Sequence, residues 1–248
     1  MLPHVFSGFP YVERFYSYTK IGSTNEKAIR FSELPQKGIF VFQADSQSTT
    51  VKARMERAIF PEAEGCLWVS ILRQQSETST PFLHTRAISL AIISSIKQLF
   101  PDAPLVIKWP GDILWGQKVI CNLKITPHHS SSSALVISFG LNVNISNEVF
   151  PAHLHSVTTS TLIETGKRIP LSTLLRKITE LYKDFIEKTP QECHSLYSTM
   201  LFSQNEKVSI NTTEGVFKTV TLDGLAVIET DSGTLTVSSG TMYLTEAV

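Results

Sequence analysis

This sequence predicts an α+β chain of two closely joined domains, and three observations predict it. Through about residue 203, β-rich apolar runs are interspersed with stretches of helical apolar spacing. Beyond that point the texture changes to short β-rich runs, VSIN, VFKTVTL, LAVIET, TLTVSS and TMYL, separated by Thr-Glu-Gly, Asp-Gly and Asp-Ser-Gly turns. The chain has 248 residues, 42% hydrophobic and 18% charged, enough for one sizeable core plus a small module. The expected division is residues 1–203 and 204–248, the second a small β-barrel or β-roll.

In order along the chain, Ser23 and Glu26 stand at capping-box spacing and open a helix. GIFVFQAD (38–45) and GCLWVSILR (65–73) read as strands. The connection between them, residues 46–64, is long, aperiodic and cationic, the profile of a segment that orders on binding a ligand. Residues 83–100 have helical apolar spacing and stop at Pro101. LVIKWP (105–110) is a strand that its proline must end. A tight turn at Trp115, Gly116 and Gln117 then leads into KVICNLKI. Its alternation puts Lys118, Ile120, Asn122 and Lys124 on one face and Val119, Cys121, Leu123 and Ile125 on the other. After a polar loop at 128–133, ALVISFGLNVNI (134–145) is a strand that turns polar at Asn142 and Asn144. Residues 171–188 form an amphipathic helix with Leu174, Ile178, Leu181 and Phe185 on one stripe.

Composition excludes several classes. Lys+Arg and Asp+Glu number 22 each, so no global field favours a nucleic acid or an anionic membrane. Cys66, Cys121 and Cys193 are too few and scattered for a disulfide framework or a CxxC metal site. The N-terminus lacks the basic and apolar regions of a signal peptide, and AISLAIISSIKQLF is too short to span a bilayer. A cytoplasmic protein is the expectation. His128, His129, His153 and His155 have no acidic partner at ligand spacing, and no GxSxG, P-loop or GxGxxG is present.

Four constellations could carry chemistry. Taken alone, Ser23-Thr24-Asn25 reads first as a helix cap, and Lys52, Arg54 and Arg57 read first as a solvated basic loop. Lys108, Asp112 and Lys118 surround one hairpin and could be a surface ion cluster, and Asn142 with Asn144 could cap a sheet edge. Taken together and in order, the four resemble the biotin protein ligases. The resemblance rests on STN (23–25), QADSQS (43–48) running into VKARMER (51–57), and KWPGD (108–112) followed by Lys118. GLNVN (140–144), TTSTL (158–162) and the final SSGTMYL (238–244) complete it. The sequence departs from the family pattern in places. Val51, Ala53 and Glu56 stand where the family has loop glycines, Ile59 where it has tryptophan, Gly111 where it has asparagine and Cys121 where it has glycine.

The resemblance implies a mixed sheet flanked by helices, the class II aminoacyl-tRNA synthetase-like fold of this superfamily, with a C-terminal SH3-like barrel. It implies a ligase that activates biotin with ATP to biotinyl-5′-AMP and passes it to a lysine of a biotin carboxyl carrier protein of acetyl-CoA carboxylase. Ser23, Thr24, Asn25, Gln47 and Lys118 would hold biotin. Lys52, Arg54, Arg57, Lys108, Trp109, Asp112 and Asn142 would hold ATP, and Asp112 would take Mg²⁺. Lys118, Arg54 and Arg57 would be catalytic through charge neutralisation, because two anions meet and no enzyme nucleophile is needed. With 22 residues before Ser23, no DNA-binding domain or DNA partner is expected; the resemblance leaves homodimerisation open. The alternatives are a lipoate or octanoate ligase or transferase of the same superfamily, against which the lack of RRxSGGG argues, and a non-catalytic ligand-binding relative.

Overall fold

The structure, a computed structural model, describes residues 4–6, 9, 11–33, 38–48, 64–74, 80–128 and 134–245. The strands of the larger sheet are β1 (His4–Phe6), β2 (Arg14–Ile21), β3 (Ile39–Gln47), β4 (Cys66–Gln74), β5 (Leu105–Lys108), β6 (Asp112–Trp115), β7 (Lys118–His128) and β8 (Ala134–Asn142). They lie in the order β1-β2-β3-β4-β8-β7-β6-β5. The sheet is mixed because β2 and β3 run parallel, and a parallel pair needs a crossover. Helix α1 (Thr24–Ser32) supplies it, capped by Ser23, whose hydroxyl accepts the Glu26 N–H. All other neighbouring strands pair antiparallel.

Helices cover both faces. On one lies α2 (Pro81–Lys97), packed against α4 (Leu171–Glu187) and α5 (Pro190–Ser198); α1 lies on the other, over β3, β4 and β8. Helix α2 starts at Pro81 behind a Thr80 cap, two residues before its apolar spacing begins, and ends at Lys97, three residues before that spacing stops. The short α3 (Thr161–Thr165) follows β8. A second, antiparallel sheet of five strands, β9 (Lys207–Ile210), β10 (Thr213–Val220), β11 (Ala226–Thr230), β12 (Gly233–Val237) and β13 (Met242–Leu244), has the order β12-β11-β10-β9-β13. Its inner residues Val208, Ile210, Phe217 and Ile228 join the same apolar cluster as Ile88, Ile92, Ile107 and Trp109. The α+β class and the β texture of the C-terminal part are therefore as the sequence predicts.

Three details differ from it. Strand β2 escapes the pattern because both of its faces are aromatic: Phe15 enters the α2-side core while Tyr16 and Tyr18 enter the core beneath α1. In β7 the pairing with β6 shifts register between Ile113–Cys121 and Leu114–Val119, which leaves Ile120 as an extra residue. Ile120 is fully buried in the α2-side core beside Cys121, so the face expected to carry Lys118, Ile120, Asn122 and Lys124 is not continuous. On α4 the buried positions are Leu174, Leu175, Ile178, Thr179 and Tyr182, with Leu181 and Phe185 only half-buried. The stripe is rotated toward α2, the element against which α4 packs most closely.

Candidate functional site

Beneath the N-terminus of α1 the sheet carries a run of polar side chains in an otherwise apolar surface. Ser70 of β4 and Ser138 of β8 are directly opposed across the ladder, so they share a face. Their hydroxyls lie 2.8 Å apart. The amide of Asn25 donates to Ser138 at 2.8 Å, and the Ser70 hydroxyl donates to Thr24 Oγ1 at 2.9 Å. Thr24 in turn donates from its backbone N–H at 2.7 Å and its hydroxyl at 3.2 Å to Gln47 Oε1. Each hydroxyl has one proton, so the chain runs in one direction: Asn25 to Ser138, Ser70, Thr24 and Gln47. That direction also fixes both amide orientations. The NH₂ of Gln47 and the carbonyl of Asn25 take no part in the relay.

One register step away, Trp68 of β4 and Asn122 of β7 both pair with Gly140 of β8. Gly140 has no side chain, so no β8 side chain stands between the indole and the carboxamide on this face. Trp68 Nε1 and Asn122 Nδ2 are buried and have no hydrogen-bond partner among the described residues. A buried donor left unmet costs about 1–3 kcal/mol, so a pair of them on one face marks a place where acceptors are expected. Thr24 and Gln47 were legible as candidates in the sequence. Ser70 and Ser138 were not, although each is a lone hydroxyl interrupting an apolar strand, WVSIL and VISFG, and that was the available signal.

The hairpin at 108–118 is held from several sides. Lys108 and Asp112 are opposed across β5 and β6, and Lys108 Nζ lies 5.5 Å from the centroid of the Tyr243 ring. Asp112 accepts the Leu123 N–H at 3.4 Å. Trp109 is 2% exposed and donates its indole N–H to Gly224 O at 2.9 Å, while Tyr197 donates to Pro110 O at 3.0 Å. The Trp109–Pro110 peptide is cis. Gly111 is buried, and a Cβ there would stand 2.9 Å from Thr85 and 3.0 Å from Leu123. The space that the family's asparagine would use is thus filled by neighbouring side chains. Lys118 is half-buried at the mouth of the turn, opposite Trp115.

The asparagines at the end of β8 serve the backbone. Asn142 is fully buried and donates to Thr159 O at 3.0 Å and to Thr158 Oγ1 at 3.4 Å. Asn144 exchanges two hydrogen bonds with the Ile169 backbone, at 2.8 and 2.9 Å. Ser160 and Thr161 donate to the carbonyls of Ile145 and Val143, so the TTSTL segment is tied down residue by residue.

The structure therefore brings Thr24, Asn25 and Gln47 into one network, with Ser23 as the cap behind them. It opposes Lys108 to Asp112 and puts Trp109 and Asn142 in the interior as supports of their segments. Lys52, Arg54 and Arg57 lie outside the described residues. Burial pushes the Cys66 and Cys121 thiols well up, so neither is a thiolate nucleophile. Among the described residues, no three His, Cys, Asp or Glu side chains converge as metal donors. Asp112 alone still suits Mg²⁺, which takes one or two carboxylates and fills the rest of its octahedron with phosphates and water.

No protein-family model matches the chain. It is 24% identical over 214 residues to the bifunctional ligase/repressor BirA of Bacillus spizizenii, a match covering 81% of the chain and 65% of that relative. The match thus spans less than two thirds of the relative's length. The biotin protein ligase of Aquifex aeolicus in complex with biotin and ATP superimposes with a TM-score of 0.77 at 21% identity, over 94% of this chain and 99% of that one. A biotin protein ligase-like protein of unknown function from Silicibacter sp. TM1040 superimposes at 0.71 and 12% identity, over 94% and 96%.

Proposed function

The chain is similar in sequence and fold to the biotin protein ligases, and on that premise we propose that it activates biotin with ATP and transfers it to a carrier lysine. The observation that carries this reading is the set of polar groups around the α1 N-terminus that have no hydrogen-bond partner among the described residues. The Gln47 NH₂, Trp68 Nε1 and Asn122 Nδ2 are donors, and the Asn25 carbonyl is an acceptor. A ureido ring offers one carbonyl and two N–H groups, so such a ring meets donors and acceptor together. The dithiolane of lipoate or the methyl end of octanoate would leave the donors unmet, at about 1–3 kcal/mol each. The site is built for a polar ring.

In the first step a carboxylate oxygen of biotin attacks the α-phosphorus of ATP. The bond to the pyrophosphate oxygen breaks, giving biotinyl-5′-AMP. Both reactants are anions, so the work of the protein is to hold them together and offset their charge. Lys118, at the mouth of the hairpin, is assigned to the biotin carboxylate and α-phosphate. Lys108 is assigned to the nucleotide, and Lys52, Arg54 and Arg57 to the phosphates. Asp112 would be the protein ligand of Mg²⁺, which when bound offsets pyrophosphate charge. In the second step the neutral amine of the acceptor lysine attacks the acyl carbon, AMP leaves, and the amide nitrogen loses its proton to solvent. The acceptor is assigned as the biotin carboxyl carrier domain of acetyl-CoA carboxylase.

Pyrophosphate release with ATP, comparing biotin, lipoate and octanoate, tests the reading. Biotin should stimulate release and the other two should not. Release stimulated by lipoate and indifferent to biotin would sink it.

A further inference from the structure

The opposite face of the sheet carries a second polar site that the proposed reaction does not use. Arg73 of β4 is three residues from Ser70, so its side chain projects to the α2 and α4 side. There it enters a groove of about 570 Å³ between the sheet and the ends of those helices. Small-molecule pockets span roughly 300–1,000 Å³, so the groove has room for a compact ligand.

The floor is polar and the walls are not. His84 Nδ1 and the Tyr182 hydroxyl are 2.8 Å apart, and Arg73 Nη1 donates to that hydroxyl at 3.4 Å. Ile39, Leu83 and Ile186 form apolar walls. At the lip, Lys183 is paired with Glu187 at 3.2 Å, and Lys188 stands beside them. Arg73 has no ion-pair partner among the described residues, and its buried Nε has no hydrogen-bond acceptor. Burial, and then the charge of Arg73, hold the His84 imidazole down at about 3 and so neutral. Burial holds the Tyr182 phenol up at about 12, also neutral. The floor therefore carries one net positive charge, from Arg73.

We infer that this groove binds a small carboxylate with an apolar body, its carboxylate on Arg73 and Tyr182 and its apolar part against Ile39, Leu83 and Ile186. The planar guanidinium fork on the floor suits the two oxygens of a carboxylate, and the apolar walls reward a hydrocarbon body that inorganic phosphate lacks. The apolar walls favour a molecule larger than acetate.

Benzoate is the probe, titrated calorimetrically into the full chain beside benzamide, which has its shape without its charge, and inorganic phosphate. Benzoate should bind and the other two should bind at least about tenfold more weakly, the worth of one charge-assisted contact. Arg73→Gln should weaken benzoate by a similar factor and Arg73→Lys by less. Should Arg73→Gln fail to keep a native circular dichroism spectrum, Ile186→Trp serves instead. It fills the groove without touching the floor, and benzoate binding should be lost. Benzoate binding that survives Arg73→Gln or Ile186→Trp places the anion elsewhere, for instance at the Thr24–Gln47 network, and overturns the inference. So does phosphate or benzamide binding as tightly as benzoate, or no benzoate binding at all. Biotin-dependent pyrophosphate release has no bearing on any of these outcomes.

Discussion

Trp109 donates its indole N–H to the backbone carbonyl of Gly224 at 2.9 Å, joining the hairpin of the larger sheet to a turn of the C-terminal one. Gly224 has a φ of +96°, and a Cβ there would come within 2.4–2.9 Å of the Phe82 ring. Both backbone conformation and space demand glycine at this point. Gly224→Ala should therefore cost about 2–4 kcal/mol, combining left-handed strain with overpacking. Urea denaturation measures it. A cost below 0.5 kcal/mol, the range of ordinary surface changes, would mean that the turn adapts freely.

Removing the C-terminal strands extends the same relationship. Val208, Ile210, Phe217, Val220, Ala226 and Ile228 share one core with α2 and β5, so truncation after Ser203 uncovers Trp109, Phe82 and Ile107. The remnant should lose the cooperative unfolding transition of the whole chain. A remnant that unfolds cooperatively and keeps its rate of pyrophosphate release would show the C-terminal sheet to be a separable cap.

Lys118→Ala tests the proposed chemistry with little disturbance to the fold. The side chain is half-buried at a turn and is no part of either apolar cluster. Stability should change by no more than about 0.5 kcal/mol. Adenylate formation should fall about 100-fold, since one lost charge-stabilising contact is worth about 3 kcal/mol in the transition state. Full activity in the variant would take Lys118 out of the mechanism.

Asn122→Val separates ligand binding from folding by opposite signs. The buried Nδ2 has no partner, and valine suits a strand, so the unliganded variant should be more stable by about 1 kcal/mol. Biotin affinity should fall about tenfold, the value of one such hydrogen bond. Affinity unchanged alongside raised stability would show that the donor meets no ligand.

His84 gives a dependence on pH. Its imidazole is held down at about 3 when folded, against about 6.5 in an unfolded chain, so only the unfolded state takes up a proton between those values. Stability contributed by keeping it neutral is complete above pH 6.5 and is lost as pH falls toward 3. Between pH 7 and pH 5 this group should account for a loss of about 2 kcal/mol, at about 1.4 kcal/mol per unit. His84→Gln should be less stable at pH 7 and flatter over that interval. An identical slope in both proteins would put the titrating group elsewhere.

The sequence by itself determined the α+β class, most of the strands, the capped start of α1 and the change to β texture in the C-terminal part. Each depends on local information: side-chain period, a cap, a turn residue. It also singled out Thr24, Asn25 and Gln47, because short polar residues at a helix start and a strand end stand out from apolar surroundings. It missed Ser70 and Ser138, since a lone serine in an apolar strand gains meaning only when the ladder sets it opposite another. The bulge at Ile120 was equally invisible. Period-two alternation assumes an unbroken register, and β6 decides that register. Trp109 and Asn142 stood out only through the resemblance, and it is the tertiary structure that brings the indole to Gly224, 115 residues away, and the carboxamide to Thr159. Polar groups in an interior must be paired, and pairing between distant segments is set by packing, which no local pattern encodes.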